Sequence, residues 1–212
     1  MRHNLKATVA KFLVRLGFTA DALTLAGLAL SFYAAWLVTD GRLFTAGYVL
    51  LFSGLCDLLD GAVAREMGKA SVFGGILDSS LDRYGDGAVL GGILIYCTGF
   101  EEVRYVVLAL SALIGSFSIS YVRARAECET EDCRTGFWER GERLVLIALA
   151  LLLNNLPAAL WVLGVGTHGT VFQRLVYAKT GIKGPVSARN SWPYFLKAGA
   201  LVLLIIFWHP AY

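Results

Sequence analysis

Charged residues are scarce in this sequence. Only 17% of its 212 residues are Asp, Glu, Lys or Arg, and 57% are apolar, whereas soluble domains are typically about 45–50% apolar. This composition argues against a soluble globular protein and favours one that crosses a membrane several times. The chain also lacks a long basic soluble stretch, so we expect it not to bind nucleic acid.

Histidine and cysteine are scarce as well, with three His and four Cys residues. Cys56 and Cys97 fall in apolar segments, and Cys128 and Cys133 share a short acidic loop. The sequence has no second pair of Cys or His residues that could complete a zinc site with Cys128 and Cys133. We therefore expect ordinary reduced thiols rather than a zinc site.

The N-terminal segment, residues 1–18, lacks the continuous apolar core of a secretory signal peptide. Its apolar residues recur at helical spacing and are interleaved with basic ones; the two sets are Val9, Phe12, Leu13 and Leu16, and Lys6, Lys11 and Arg15. We therefore predict an amphipathic helix that lies on the membrane surface.

Long apolar runs follow this segment, and about 20 such residues suffice for a helix to cross a bilayer. We predict six spans, at residues 22–39, 43–64, 74–99, 103–123, 141–155 and 157–178. A seventh, shorter run, Ala198–Trp208, is a possible extra membrane segment within a C-terminal tail of residues 181–212. The predicted fold is an all-α, polytopic membrane bundle, with residues 1–180 as its domain.

The basic residues predict how these spans are oriented. With the N-terminus placed on the inner side, only Arg42 and Arg104 of the 19 Lys and Arg residues lie near outer ends. Such a bias follows the positive-inside rule. We therefore expect an integral protein of the cell membrane, whose polar residues share one water-accessible layer open to the cytoplasm.

Four carboxylates stand out against the apolar background. Asp57 and Asp60, three positions apart, end the second span, and Asp78 and Asp82, four apart, begin the third. Each spacing places a pair on one helix face, although a carboxylate at a bilayer centre costs about 2.5–3.5 kcal/mol. Two pairs on neighbouring antiparallel helices repel one another unless cations bind. Oxygen ligands without His or Cys favour Mg²⁺, Mn²⁺ or Ca²⁺ over zinc.

Two other interpretations fit carboxylates in a membrane. They could form buried ion pairs with Arg65, Arg83 or Arg123, or they could line the path of a divalent-cation transporter. A transport path would place acids at several depths, whereas these lie in one layer with glycine and arginine between them. Asp86, one turn deeper than Asp82, is predicted to make a packing contact between helices.

A second polar group, at the same predicted depth, is basic. It consists of Ser120, Arg123 and Arg125 at the end of the fourth span, Arg140 and Arg143 at the start of the fifth, and Arg174 in the sixth. Arginine binds phosphate through paired hydrogen bonds, so this group favours a phosphorylated substrate. The alternative is that these arginines anchor the helices to anionic lipid.

The acidic stretch resembles the signature of a known enzyme family. Its pattern, Asp57-x2-Asp60-Gly61-x2-Ala64-Arg65-x8-Gly74-x3-Asp78-x3-Asp82, is similar at every fixed position to that of the CDP-alcohol phosphotransferases. The resemblance implies an integral membrane enzyme of six helices, usually a homodimer. Such an enzyme transfers the phosphatidyl-type group of a CDP-linked lipid, CDP-diacylglycerol or CDP-archaeol, to an alcohol and releases CMP.

The same resemblance implies a role for each matching residue. Two Mg²⁺ or Mn²⁺ ions would be held by Asp57, Asp60, Asp78 and Asp82, and Asp82 would also be the general base. The CDP-lipid would contact Gly61, Ala64, Arg65, Ser71 and Gly74. It would also contact the upstream segment Ala20, Asp21, Ala22, Leu23 and Thr24, in which Ala20 stands where the family usually has Pro.

The basic group carries a narrower resemblance. The segments SYVRARAE (120–127), ERGERLVLI (139–147) and FQRL (172–175) are similar to those of phosphatidylinositol phosphate and archaetidylinositol phosphate synthases. The similarity implies an inositol phosphate pocket formed by Ser120, Arg123, Arg125, Arg143 and Arg174. Lys is common at position 123 and Pro at position 141 in that group, so the shape of the pocket differs in detail. Glycerol 3-phosphate, which also needs a basic pocket, stays an alternative acceptor.

Overall fold

In the computed structural model, the described residues are 2–68, 71–100, 102–128 and 136–181, and these ranges contain seven α-helices and no strand. In chain order the helices are α1 (Arg2–Arg15), α2 (Ala20–Thr39), α3 (Leu43–Glu66), α4 (Val72–Cys97), α5 (Val103–Glu127), α6 (Arg140–Leu152) and α7 (Leu156–Gly181). The prediction of an all-α fold is confirmed, and each predicted span corresponds to one of the helices α2 to α7.

Three helices of the described part, α2, α3 and α5, are both long and apolar enough to cross a membrane. Acidic and basic residues interrupt the apolar sequence of α4. α6 has only 13 residues, which makes it about 20 Å long at the rise of an α-helix, against about 30 Å for the hydrocarbon core. The count of six spans therefore stays a prediction. The Ala198–Trp208 segment and Cys133 lie outside the described residues.

The N-terminal helix α1 packs against the end of α3. Ala10, which is 1% exposed, forms a small apolar cluster with Leu23, Ala62 and Val63. Phe12 and Leu16, on the other side of α1, are mostly exposed. A helix with one packed face and one exposed apolar face suits the predicted position on a membrane surface.

Helices α2 to α7 close into a ring. Its main contacts join α2 to α4, α4 to α5, α5 to α7, α7 to α6, α6 to α3, and α3 back to α2. The sequence led us to expect α3 and α4 to be direct neighbours, but each packs mainly against α2, which lies between them. Apolar side chains such as Leu37, Ile93 and Leu151 are fully buried at one end of this ring.

A short connection places all four predicted metal ligands at the other end. Gly68, after α3, has φ of 63°, a left-handed conformation that glycine adopts without strain. Ser71 caps α4, because its Oγ accepts a hydrogen bond from the N–H of Gly74 at 3.0 Å. The chain therefore reverses between the acidic end of α3 and the acidic start of α4.

Glycines bring α4 close to its neighbours. A Cβ added at Gly92 would lie 2.7 Å from the backbone oxygen of Ala35 on α2, and one added at Gly87 would lie 3.2 Å from the ring of Phe117 on α5. A Cβ at Gly91 would have no neighbour within 4 Å. Gly87 and Gly92 therefore serve packing inside the bundle, whereas Gly91 faces open space.

Gly92→Ala is expected to destabilise the protein, because the new methyl group meets backbone atoms that have no rotamer with which to move away. Overpacking of this kind typically costs about 1–3 kcal/mol. Gly91→Ala is the matched control, and it should be neutral or stabilising because Ala favours a helix over Gly by about 1 kcal/mol. Thermal unfolding of both variants in detergent tests this; equal melting temperatures would contradict it.

Candidate active site

Asp60 is the one buried carboxylate among the four predicted metal ligands, with 6% exposure. The hydroxyl of Thr24, on α2, donates to Asp60 Oδ2 at 2.9 Å, and the N–H of Gly61 donates to Oδ1. These two donors fix the orientation of the carboxylate. Thr24, which the sequence placed beside the nucleotide, therefore also holds a predicted metal ligand in position.

Asp57 lies one turn earlier on α3 and faces a glycine of α2. A Cβ added at Gly27 would lie 2.9 Å from Asp57 Oδ1 and 3.3 Å from the Cβ of Cys56. No side chain fits at position 27 unless the carboxylate moves. Gly27 thus makes room for Asp57, a role that its sequence did not reveal.

Arg140, the first residue of α6, joins the acidic residues of two helices. Its Nη1 atom contacts Asp57 and lies 2.9 Å from Asp82 Oδ1, and its Nε lies 3.2 Å from Asp86 Oδ1. All four side chains are at most 20% exposed, so water screens their charges only partly. One guanidinium therefore offsets part of the negative charge of the cluster.

The sequence suggested Arg65, Arg83 or Arg123 as ion-pair partners of the carboxylates. In the described part of the chain, Asp57 and Asp82 pair with Arg140 instead, and the neighbouring Asp86 pairs with both Arg140 and Arg143. Arg143 Nη2 lies 2.9 Å from Asp86 Oδ2, and Arg143 Nη1 donates to the carbonyl oxygen of Trp138 at 2.9 Å. The prediction that Asp86 makes a contact between helices is confirmed.

Two glutamates explain why α6 starts where Arg140 can reach the cluster. Glu139 and Glu142 form a capping box, in which the backbone N–H of Glu139 donates to Glu142 Oε2 at 2.9 Å. This arrangement fixes the first turn of α6. Arg140 and Arg143, three positions apart, then project from one face of that turn towards α4.

The acidic cluster fits a divalent cation by its donor chemistry. Four carboxylates without a nearby His provide the hard oxygen ligands that suit Mg²⁺ and Mn²⁺. The position of Arg140 between Asp57 and Asp82 shows that this space accepts positive charge. Within the described ranges, no group of three Asp, Glu, His or Cys side chains lies close enough together to hold a metal ion. The number and identity of the ions therefore stay predictions.

A first cavity, of about 490 Å³, opens beside Asp60 and Asp78. Its wall contains eight of the ten residues predicted to contact a CDP-lipid: Ala20, Asp21, Thr24, Gly61, Ala64, Arg65, Ser71 and Gly74. The first turns of α2 and α4 both border this cavity. Because helix N-termini carry unsatisfied N–H groups and partial positive charge, they favour phosphate groups.

A second cavity, of about 350 Å³, lies on the other side of the cluster, and its wall carries five arginines against four carboxylates. It is lined by Asp78 and Asp82 together with four of the five residues predicted for the acceptor, Ser120, Arg123, Arg143 and Arg174. Arg174 is 2% exposed and donates to the carbonyl oxygen of Ile119 at 2.7 Å. Asp78 lines both cavities, so the two spaces meet at the carboxylates.

Four of the predicted site residues lie outside these two cavities. The side chain of Leu23 is buried against α1 and α3, and Ala22, next to it, is exposed in the first turn of α2. Arg125 is exposed, because two residues along a helix from Arg123 correspond to nearly opposite faces. Asp57 borders neither cavity and instead contacts Arg140.

Other residues of the cavity walls had no predicted contact with a particular substrate, although Arg140 belongs to the predicted basic group. In the first cavity they are Thr19, Met67, Phe73, Gly75 and Leu77, and in the second Ser79, Arg83, Ile119, Ala124, Glu127, Glu139 and Arg140. Thr19 carries a recognisable signal, since Thr before an apolar helix is a common N-cap, and its Oγ1 accepts from the N–H of Ala22 at 3.2 Å. The others depend on contacts between distant helices.

An all-helical membrane protein with four carboxylates between an anion-favouring cavity and a basic cavity has the layout of an enzyme with two substrates. The chain belongs to the CDP-alcohol phosphatidyltransferase family, whose sequence model matches residues 18–172. It is accordingly a transferase of substituted phosphate groups and an integral membrane protein. The resemblance found in the Asp57–Asp82 stretch is confirmed, and the family favours a transferase over the alternative of a cation transporter.

Individual relatives support this assignment. The phosphatidylinositol phosphate synthase of Mycolicibacterium smegmatis is 39% identical over 199 residues, covering 88% of this chain and 90% of that protein. The archaetidylinositol phosphate synthase of Pyrococcus horikoshii is 37% identical over 172 residues, covering 81% and 89%. Both relatives belong to the group of synthases that segments 120–127, 139–147 and 172–175 of this chain resemble.

Solved structures of the Mycobacterium tuberculosis phosphatidylinositol phosphate synthase share the fold. Its complex with CDP-DAG has a TM-score of 0.76 at 34% identity and covers 87% of this chain and 100% of that one. Its complex with manganese and citrate has the same TM-score and identity, with 86% and 93% covered. A similarity of this extent relates the fold over most of the chain.

Proposed function

We propose that this enzyme transfers the phosphatidyl-type group of a CDP-linked lipid to inositol phosphate and releases CMP. The observation that carries the proposal is the meeting of the two cavities at Asp78. One cavity favours the diphosphate of a nucleotide, and the other gathers arginines suited to a phosphorylated alcohol. The relatives named above, which are phosphatidylinositol phosphate and archaetidylinositol phosphate synthases, support the choice of acceptor.

The donor is assigned to the first cavity. Gly61 and Gly74 leave room for a diphosphate to approach the backbone, while Arg65 supplies a guanidinium and Ser71 a hydroxyl. The M. tuberculosis relative has been solved with CDP-DAG bound, which supports a CDP-linked lipid as donor. CDP-diacylglycerol and CDP-archaeol share the nucleotide, so these residues suit both.

In the proposed reaction, Asp82 accepts the proton of the acceptor hydroxyl. The resulting oxygen attacks the lipid-side phosphorus, and the bond between that phosphorus and the CMP oxygen breaks. Asp57, Asp60 and Asp78, with Asp82, are the residues that would hold Mg²⁺ or Mn²⁺, and we propose two ions. When bound, such ions neutralise the diphosphate charge and orient the leaving oxygen. The manganese complex of the relative supports a divalent ion at this cluster.

The acceptor is assigned to the second cavity. Arg143 and Arg174 are both at most 4% exposed, and each is fixed by donation to a backbone carbonyl oxygen. Arginines held in this way lose little further freedom when they bind a phosphate group. Ser120 and Arg123 complete the proposed pocket. A free alcohol such as unphosphorylated inositol has no phosphate group for these arginines to bind.

We also propose that the enzyme lies in the cell membrane with this site facing the cytoplasm, on helices α2 to α7 as six spans. The bias of basic residues towards one side supports this orientation. A homodimer is proposed from the family resemblance. Cross-linking in native membranes would test the dimer, and accessibility of a single cysteine introduced at Ser79 or at Thr98 would test the orientation.

The proposed acceptor is tested by measuring CMP release from purified protein with CDP-diacylglycerol and Mg²⁺. Inositol 1-phosphate, glycerol 3-phosphate and free inositol are supplied in separate reactions, and mass spectrometry identifies the lipid products. We expect phosphatidylinositol phosphate as the main product and loss of activity in EDTA. CMP release with glycerol 3-phosphate but not with inositol 1-phosphate would overturn the proposed acceptor.

Gly27→Ala is expected to lower activity because the added methyl group would lie 2.9 Å from Asp57 Oδ1. A misplacement of about 1 Å near the chemistry can cost roughly 100-fold in rate, so we expect roughly 10–100-fold lower CMP release. The loss should be accompanied by weaker Mn²⁺ binding, measured by electron paramagnetic resonance. Gly91→Ala, at an open position, is the control; equal activity of the two variants would contradict the proposed role of Gly27.

A further inference from the structure

Arg83, which follows Asp82 on α4, lies in the wall of the second cavity without a role in the reaction described so far. Its Nε donates to the carbonyl oxygen of Ser79 at 3.2 Å, and its Nη1 donates to Ser120 Oγ at 2.5 Å. Ser120 in turn donates to the carbonyl oxygen of Ser116 at 3.2 Å. The guanidinium is therefore tied to α5 at a residue of the proposed acceptor pocket.

The charge of Arg83 differs from that of its neighbours in one respect. Arg123 pairs with Glu127 at 2.8 Å, Arg140 pairs with Asp82 and Asp86, and Arg143 pairs with Asp86. Among residues that the structure describes, Arg83 makes no ion pair with a carboxylate. It is nevertheless partly buried, and a charge removed from water is costly unless an opposite charge accompanies it.

We propose that Arg83 binds the phosphate group of the acceptor, an inference that rests on the proposed function. A guanidinium has five N–H donors, and the hydrogen bonds to Ser79 and Ser120 use two of them. Arg83 lies in the cavity wall, where an incoming phosphate group would accept hydrogen bonds from the remaining donors and form an ion pair with the guanidinium. Because Arg83 and the proposed base Asp82 are consecutive, they also fix the distance from the acceptor's phosphate to its reacting hydroxyl.

The test compares Arg83→Gln and Arg83→Lys with the wild type, using purified protein, CDP-diacylglycerol and inositol 1-phosphate. For Arg83→Gln we expect the KM of inositol 1-phosphate to rise roughly 10–100-fold, because the charge-assisted hydrogen bonds between the guanidinium and the phosphate are lost. The KM of CDP-diacylglycerol should stay within about twofold. Arg83→Lys should lie between, because Lys keeps the charge but not the paired geometry. Arg104→Gln, whose ion pair with Glu102 lies at the opposite helix ends, should change neither KM.

A purely structural role of Arg83 predicts a different result. Both KM values and the melting temperature would then change together, and Arg83→Lys would not restore acceptor binding; either finding overturns the proposal.

The identity of the acceptor is checked separately, with the wild-type enzyme. If the wild type uses glycerol 3-phosphate instead, the inositol assignment fails, but a selective rise in the KM of glycerol 3-phosphate in Arg83→Gln still supports a phosphate contact. If neither phosphorylated acceptor yields CMP with the wild type, both proposals fail.

Discussion

Asp82→Asn is expected to lower the rate of CMP release by roughly 10²–10⁴-fold, the usual contribution of a positioned general base. The side chain of Asp82 is 15% exposed, borders the acceptor cavity and lies 2.9 Å from Arg140. It is the only one of the four cluster carboxylates that borders the basic cavity without bordering the donor cavity as well. A proton acceptor for the attacking hydroxyl belongs at this position. Single-turnover CMP release with saturating inositol 1-phosphate measures the effect.

Binding measurements separate loss of the base from loss of the site. Asp82→Asn should keep its fold, and in EDTA it should bind CDP-diacylglycerol as the wild type does, because that lipid is assigned to the other cavity and the proposed metal ligation by Asp82 then plays no part. Asp40→Asn serves as the matched control, since Asp40 pairs with Arg42 on an exposed surface at the far end of α2. Full activity of Asp82→Asn would remove Asp82 from the role of base.

Arg140→Gln is expected to have the largest effect on stability. Removing one partner of a buried ion pair typically costs about 3–5 kcal/mol, because the remaining charge is left without compensation. Here one guanidinium serves Asp57 on α3 and both Asp82 and Asp86 on α4. The variant should therefore unfold at a lower temperature in detergent, and it should release CMP more slowly because the carboxylates lose their common partner.

Two comparisons make the Arg140 prediction specific. Mn²⁺ should raise the melting temperature of Arg140→Gln more than that of the wild type, since a ligand that binds only the folded state stabilises it. The double variant Arg140→Gln/Asp57→Asn should recover part of the lost stability, because Asp57 contacts Arg140 directly and its charge is then removed together with that of its partner. Arg42→Gln, on an exposed pair, should change little. An unchanged melting temperature in Arg140→Gln would show that the contact with three carboxylates does not stabilise the fold.

Much of the acidic site could be predicted from the sequence because its information is local. The spacings between Asp57 and Asp60 and between Asp78 and Asp82 follow helical periodicity, so each pair shares a face whatever the rest of the fold does. Apolar runs located the helices α2 to α7 for the same reason. The flanking residues Gly61, Arg65 and Ser71 belong to the same stretch, and all three border the donor cavity.

Which arginine meets which carboxylate was not predictable, because that depends on how distant helices pack. Arg125 and Arg140 both lie in the basic layer, but Arg125 is exposed whereas Arg140 joins α6 to α3 and α4. The start of α6 at Arg140 depends on the capping box of Glu139 and Glu142. The position of α2 between α3 and α4 likewise follows from close packing, such as that of Gly92 against Ala35.

The role of Gly27 shows the same limit for small residues. In the sequence it is one glycine within an apolar span, three positions after Thr24, and nothing in the sequence relates it to Asp57. Only the crossing of α2 and α3 brings it against Asp57 Oδ1. Arg83 is similar, since its contact with Ser120 joins residues 37 positions apart. Both residues acquire a proposed function through tertiary contacts alone.

The central claim, that two cavities joined at one carboxylate cluster transfer a lipid phosphate to inositol phosphate, is tested most directly by competition. Purified protein receives CDP-diacylglycerol, Mg²⁺ and equal concentrations of inositol 1-phosphate and glycerol 3-phosphate, and mass spectrometry counts the two lipid products. The account predicts phosphatidylinositol phosphate in large excess, with CMP formed in equal amount to lipid product. An excess of phosphatidylglycerol phosphate would contradict it.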